Sequence, residues 1–181
     1  MEYVALLRGI NVGKRRIKMA DLRAGFASWG FENVTTIQAA GNVIFRRHET
    51  SPADLTNALE ERLAERYGFE VSVLLRTMDE IRSLVESDPF RDVEVTPNTR
   101  LYVSFLPEKV ESDLEIPYES PEKDFRILSA GDREVCSVLK LNPRMRTTDA
   151  MAILEQAFGS RLTTRNWNTV LKIVDASRSS E

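Results

Sequence analysis

"NVTTIQAAGNVIFRR", residues 33–47, decides the fold, because it reads as two strands folded back on each other. The runs "NVTTIQA" and "NVIFRR" are rich in β-branched and apolar residues. They meet around Ala40, Gly41 and Asn42, and glycine and asparagine tolerate the positive φ that tight turns need. Upstream, Met19, Leu22, Phe26 and Trp29 recur at helical spacing, and Gly30 stands where a left-handed cap belongs. Before that helix, "EYVALLR" (2–8) predicts a short buried strand. Downstream, Ser51-Pro52-Ala53-Asp54 offers a serine cap, a proline in the first turn and a carboxylate at the positive end of the helix dipole. Leu55, Leu59, Leu63 and Tyr67 make that helix's apolar face, Gly68 ends it, and 70–76 predicts a fourth strand. A hairpin between two helices, flanked by strands, gives β-α-β-β-α-β, the ferredoxin-like plait. The segment "GFE" recurs at both helix-to-strand junctions, 30–32 and 68–70.

The second half repeats the pattern less regularly. Thr77 and Glu80 form a capping-box pair for a helix through about Ser87, which Asp88-Pro89 stops. "RLYVSFL" (100–106) predicts a strand, the acidic stretch 107–124 a helix plus loop, and "FRILSA" with "REVCSVLK" a hairpin around Gly131-Asp132. A helix is expected from Ala150 to Phe158, closed by Gly159, then a short strand in "RLTT". Trp167, Val170, Leu171 and Val174 stripe a terminal helix capped by Thr164, and the tail "SRSSE" is expected to fray. The expected architecture is α+β, with two ferredoxin-like (alpha-beta plait) domains packed together. Residues 1–76 form the first, 77–98 a connector, and 99–181 the second, with a C-terminal helix.

Composition sets bounds. A chain of 181 residues, 42% hydrophobic and 29% charged, has the make-up of a soluble globular protein with a proper core. The opening residues are apolar for too few positions, and carry Glu2 and Arg8, to form a signal sequence or membrane span, so a cytoplasmic protein with no membrane partner is expected. The lone Cys136 excludes an internal disulfide, and with the lone His48 it supplies too few ligands for zinc; no metal and no cofactor are expected. The net charge of −3 is unevenly spread. Residues 1–47 carry eight Lys/Arg against three Asp/Glu, residues 48–135 ten against twenty-one, and residues 136–181 seven against four. A mildly acidic whole argues against a general nucleic-acid coat, while the basic ends attract anions locally.

Topology places the candidate site. In such a plait the first and second strands run parallel with the third antiparallel between them, so their carboxyl ends share one edge. The loop from Gly9 to Lys18 and the turn from Ala40 to Asn42 should therefore be neighbours. That edge gathers Arg8, Asn11, Lys14, Arg15, Arg16, Lys18 and Asn42 beside a helix N-terminus, whose unpaired N–H groups favour anions. Gly9, Gly13 and Gly41 let backbone approach a ligand closely. The segment "GINVGKRR" is neither a Walker loop nor a dinucleotide fingerprint. Its first reading is a long connection kept soluble by its charges, with the anion site beside it. Arg165 and Asn168, exposed donors around a buried Trp167, join the candidate list. His48 reads as solvated surface at the opposite edge, Cys136 as a buried strand residue, and the carboxylates of 108–124 as a solvated face.

The function these residues fit is binding of a small anionic, phosphate-bearing ligand. Two alternatives stand beside it. One is a nucleic-acid-binding plait that stacks bases on Tyr3 and Phe45. The other is an enzyme on a phosphorylated substrate, for which no proton-transfer group or other catalytic residue can be named. The oligomeric state is not encoded in any motif.

At "ALLRGINVGKRRIKMADLRAGFASWGFENV", "AAGNVIF" and "TTRNWNTVLK" the chain resembles a bacterial family, domain-of-unknown-function family 1697, from Ala5 to Lys172. The resemblance implies two ferredoxin-like plaits and implies no activity, substrate or catalytic residue. Members commonly carry glycine where Lys14 stands and serine where Ala40 stands. If that serine hydroxyl bonds a ligand, the bond is missing here.

Overall fold

The computed structural model describes residues 1–48 and 51–179. The chain divides into two units, Met1–Ser83 together with Leu171–Glu181, and Leu84–Val170. These bounds differ from the expected 1–76, 77–98 and 99–181: most of the connector helix and the end of the terminal helix join the first unit.

In the first unit the elements are β1 (Glu2–Arg8), α1 (Met19–Ser28), β2 (Glu32–Ile37), β3 (Asn42–Arg46), α2 (Pro52–Tyr67), β4 (Ser72–Thr77) and the start of α3 (Met78–Glu86). The sheet order is β2-β3-β1-β4, with every neighbouring pair antiparallel. Because β1 and β2 both run against β3, they run parallel to each other and end at one edge. The start signals work as read. The Asp54 N–H donates to Ser51 Oγ at 3.5 Å, and Gly68 closes α2 at φ 74°. The capping box is reciprocal: the Thr77 N–H donates to the Glu80 carboxylate at 2.7 Å, and the Glu80 N–H to Thr77 Oγ1 at 3.2 Å.

Period-2 alternation on β1 sends Tyr3, Ala5 and Leu7 into a core with Leu22 and Phe26 of α1 and Leu55, Leu59 and Leu63 of α2. Phe45 sits at its centre, with ring centroids 5.8 Å from Tyr3, 5.4 Å from Phe26 and 4.7 Å from Phe31. Each such buried side chain contributes about 2 kcal/mol of transfer free energy, which makes this cluster the main source of the unit's stability. The ends of the chain are held together as well. The Glu2 carboxylate faces Arg46 at 3.4 Å and Arg82 at 3.8 Å, and it accepts the Ser177 hydroxyl. Part of the expected fraying tail is therefore ordered: Ser177 is fully buried within α5 (Trp167–Arg178), whereas Ser180 and Glu181 lie outside the described residues.

The second unit holds β5 (Thr99–Phe105), β6 (Tyr118–Glu119), β7 (Phe125–Ala130), β8 (Glu134–Lys140), α4 (Thr147–Phe158), β9 (Thr163–Asn166) and the start of α5. Its sheet runs β6-β7-β8-β5-β9, again antiparallel throughout. The expected helix within 107–124 is absent; a loop carrying the two-residue β6 occupies that stretch. Pro107, Pro117 and Pro121 deny it backbone donors, and Val110, Leu114, Ile116 and Tyr118 pack against the second unit's core from this irregular backbone. The loop ends instead on a polar knot around buried Asp124. The Asp124 carboxylate accepts Ser120 Oγ at 2.8 Å and Asn142 Nδ2 at 3.1 Å, while Ser120 Oγ accepts the Phe125 N–H at 3.0 Å.

Candidate functional site

The loop between β1 and α1 is shaped chiefly by Asn11. Its Oδ1 accepts the Ile17 N–H at 2.9 Å, its Nδ2 donates to the Ala39 carbonyl at 2.7 Å, and its own carbonyl accepts Arg16 Nη1 at 3.2 Å. One side chain thus pins both ends of the loop and ties it to the hairpin turn. Asparagine suits the place because the backbone there is left-handed, at φ 56°. The tip is a tight turn in which the Arg15 N–H donates to the Val12 carbonyl at 3.1 Å, and Gly13 supplies the positive φ of 57° that the reversal needs.

Loop and turn are neighbours, as the topology predicts. The Leu7 N–H donates to the Gly41 carbonyl at 2.8 Å, and an added Cβ on Gly41 would lie 2.5 Å from Ile10 Cδ1. Two details of the turn differ from the sequence reading. Its positive φ angles fall at Gln38 (57°) and Gly41 (72°) rather than at Asn42. Asn42 starts β3, fully buried, and donates Nδ2 to the Ile37 carbonyl at 2.9 Å, so its side chain closes the hairpin. Asn11 and Asn42 are thereby accounted for as scaffold.

The cations have a different setting. Lys14, Arg15, Arg16 and Lys18 are exposed, and Arg8 is half-buried at the end of β1. Among the described residues none of these five is ion-paired with a carboxylate. Lys18 occupies the N-cap of α1 without a side-chain cap bond, so that helix terminus keeps unpaired donors and its partial positive charge. The carboxylate of its first turn, Asp21, is turned to Arg66 of α2 at 2.7 Å, and that hydrogen bond lowers the Asp21 pKa below its ordinary value. Tyr67 stands beside the pair, and burial pushes its phenol up to about 12.

One contributor escaped the sequence reading. The Arg15 guanidinium lies over the Phe69 ring, 5.6 Å from its centroid, and Phe69 in turn contacts Tyr67 at 6.3 Å. Phe69 arrives because β4 runs antiparallel to β1 with Arg8 opposite Ser72, which brings the α2–β4 junction to the loop's edge. The signal was the repeated "GFE": Phe31, its counterpart, carries Arg47 at 5.1 Å. Tyr3 and Phe45, offered as a stacking platform, are instead interior, at 1% and 0% exposure.

Arg165 and Asn168 belong to the second unit. Asn168 is exposed as expected, but Arg165 is not: it points into the buried face of β9, and its Nη1 donates to Thr163 Oγ1 at 2.8 Å and to the Thr164 carbonyl at 3.0 Å. Burial lowers its pKa to about 10, which leaves it charged at neutral pH. Thr164 does not cap the terminal helix; it lies in β9, where its hydroxyl meets Ser104 Oγ at 2.7 Å, and α5 begins at Trp167. His48 is exposed beyond β3, at the edge away from the loop, and Cys136 is buried in β8 with its thiol pushed up to about 11 by desolvation. Among the described residues, no three His, Cys, Asp or Glu side chains are grouped to hold a metal, and no helix is long and apolar enough to cross a membrane.

Comparisons with known proteins agree on kinship and give no activity. Among curated proteins no sequence matches. A solved structure described as that of the conserved bacterial protein SP0830 from Streptococcus pneumoniae superposes with a TM-score of 0.72 at 26% identity, covering 98% of this chain and 98% of that one. The family model described as "Protein of unknown function (DUF1697)" matches residues 1–135, a span that contains the whole basic loop and the hairpin turn and stops short of the 163–172 motif. The chain belongs to that family, DUF1697.

Proposed function

We propose that the first unit binds a small phosphate-bearing anion at the β1–α1 loop. The observation that carries this reading is the gathering of Lys14, Arg15, Arg16 and Lys18, exposed and unneutralised by carboxylates, around an α1 N-terminus that no side chain caps. Backbone N–H groups at the first turn and guanidinium forks are complementary to phosphate oxygens, and the charge-assisted bonds they make are the strong kind. Asn11 holds the loop in place before the ligand arrives, which cuts the ordering cost of binding. Arg8, at the end of β1, adds to the local field from behind.

The scaffold we infer is the ferredoxin-like plait, present twice. The order β2-β3-β1-β4 supports it for the first unit, and β7-β8-β5-β9 repeats that order in the second, with a loop where the first helix would be. The echo extends to side chains: Arg76 of β4 stands opposite Val4, and Arg165 of β9 opposite Val103.

Pyrophosphate at a hundredfold excess over Kd should stabilise the protein by about 2.7 kcal/mol, a rise in Tm of about 8 °C for a chain of this size. Replacing Arg15 and Arg16 together with alanine should abolish that rise while lowering the ligand-free Tm by no more than about 4 °C, because both side chains are exposed and give up only the Arg16 bond to the Asn11 carbonyl and the Arg15 contact with Phe69. Equal shifts in parent and variant would refute the site.

A further inference from the structure

We propose that the natural occupant of this loop is a single-stranded nucleic acid, gripped along its phosphodiester backbone and by one base stacked on Arg15. The inference rests on the phosphate-binding loop proposed above and takes the small anion as one repeat of a longer ligand. Between Tyr3 and Phe31 the chain carries six cations, Arg8, Lys14, Arg15, Arg16, Lys18 and Arg23, against the single carboxylate of Asp21. That carboxylate is already neutralised by Arg66. One phosphate group is saturated by two or three such donors, whereas cations spread along an exposed loop and the adjoining helix turn match a ligand whose charge repeats. The whole protein is negative, at −3, so the attraction is confined to this surface.

The second observation concerns Arg15. The Arg15 guanidinium lies over the Phe69 ring, 5.6 Å from its centroid, a cation–π contact that holds an otherwise exposed side chain beside the loop. A guanidinium has two faces, and one held near a ring at the loop's edge while the side chain stays exposed can take a nucleobase on its planar surface, by the same stacking that RNA-binding proteins use. Its flank is left low by Gly9, where a Cβ would stand 3.7 Å from Arg15 Nη1. At the tip, Val12 is 59% exposed, an apolar side chain among cations that can cover a sugar or base.

The test uses the full chain with fluorescent oligothymidine and oligouridine, and linear polyphosphate as a base-free polyanion. Binding of either oligonucleotide should weaken with salt, the log–log slope being about −3 for four phosphate contacts on a single strand. Arg15→Lys keeps the charge and removes the stacking plane, so it should weaken oligonucleotide binding about fivefold and polyphosphate binding by a smaller factor, that of the lost guanidinium fork alone. A parallel thermal melt establishes that the variant is folded. An Arg15→Lys protein that binds oligonucleotide as well as its parent would overturn the base contact. No oligonucleotide binding, with the pyrophosphate shift intact, would overturn the nucleic acid and leave the anion site standing. Loss of both responses would overturn the two together.

Discussion

Gly41→Ala is expected to destabilise the protein by about 3 kcal/mol, adding the cost of a left-handed alanine to that of an overpacked contact. Gly41 sits at φ 72°, and its absent Cβ would meet Ile10 Cδ1 at 2.5 Å and Leu7 Cβ at 2.9 Å. The Ile10 methyl is the end of a flexible chain and can swing aside. Leu7 Cβ belongs to the central strand and cannot move without the sheet. A drop in Tm of about 9 °C should follow for a chain of this length. The same substitution pushes on the loop through Ile10, so the pyrophosphate response should weaken with it. An unchanged Tm would mean that the turn does not close over the loop as described.

Asp124→Ala is expected to cost a comparable amount, about 3 kcal/mol at neutral pH, since it removes hydrogen bonds to a charged, buried acceptor and leaves Asn142 and Ser120 short of a partner. The pH dependence identifies the cause. Hydrogen bonds from Asn142 and then Ser120 lower the Asp124 pKa in the folded protein beneath its ordinary 3.8. A carboxyl whose folded pKa is depressed contributes stability that is fully present above the unfolded value, near 4, and disappears as pH falls through the folded value. Asp124→Asn keeps the shape without the charge. Its deficit against the parent in urea midpoint should therefore be largest above about pH 5 and shrink steadily in more acid solution. A deficit that stays constant with pH would assign the loss to packing and not to the charge.

How far the sequence carried this reading depends on the range of the signal. The hairpin, the caps at Ser51 and Thr77 and the closing Gly68 are local devices in which a residue bonds three to five positions away, and each stands where its pattern put it. The meeting of loop and turn was also legible, because strand order fixes which ends share an edge. What escaped depends on contacts across the fold. Phe69 lies fifty-four residues beyond Arg15, and only the antiparallel pairing of β4 brings them together. Asn42 and Asn11 look like surface donors in sequence, yet a polar side chain beside a turn is as readily spent on backbone carbonyls. Arg165 reads as exposed because arginine usually is, and the alternation of a short, polar strand was too weak a signal to turn it inward. In 107–124 the acidic residues suggested a solvated helix, whereas the three prolines were the stronger message.

Where a phosphate-bearing anion touches the protein is open to direct measurement. An amide-resolved NMR titration of the isotope-labelled chain with pyrophosphate reads this directly. The predicted result is a set of shifts concentrated at Gly9, at Gly13 to Lys18 and in the first turn of α1 from Met19 to Asp21, with the amides of β3 and of the second unit unmoved. Shifts centred on other residues, or none in these amides at saturating ligand, would contradict it.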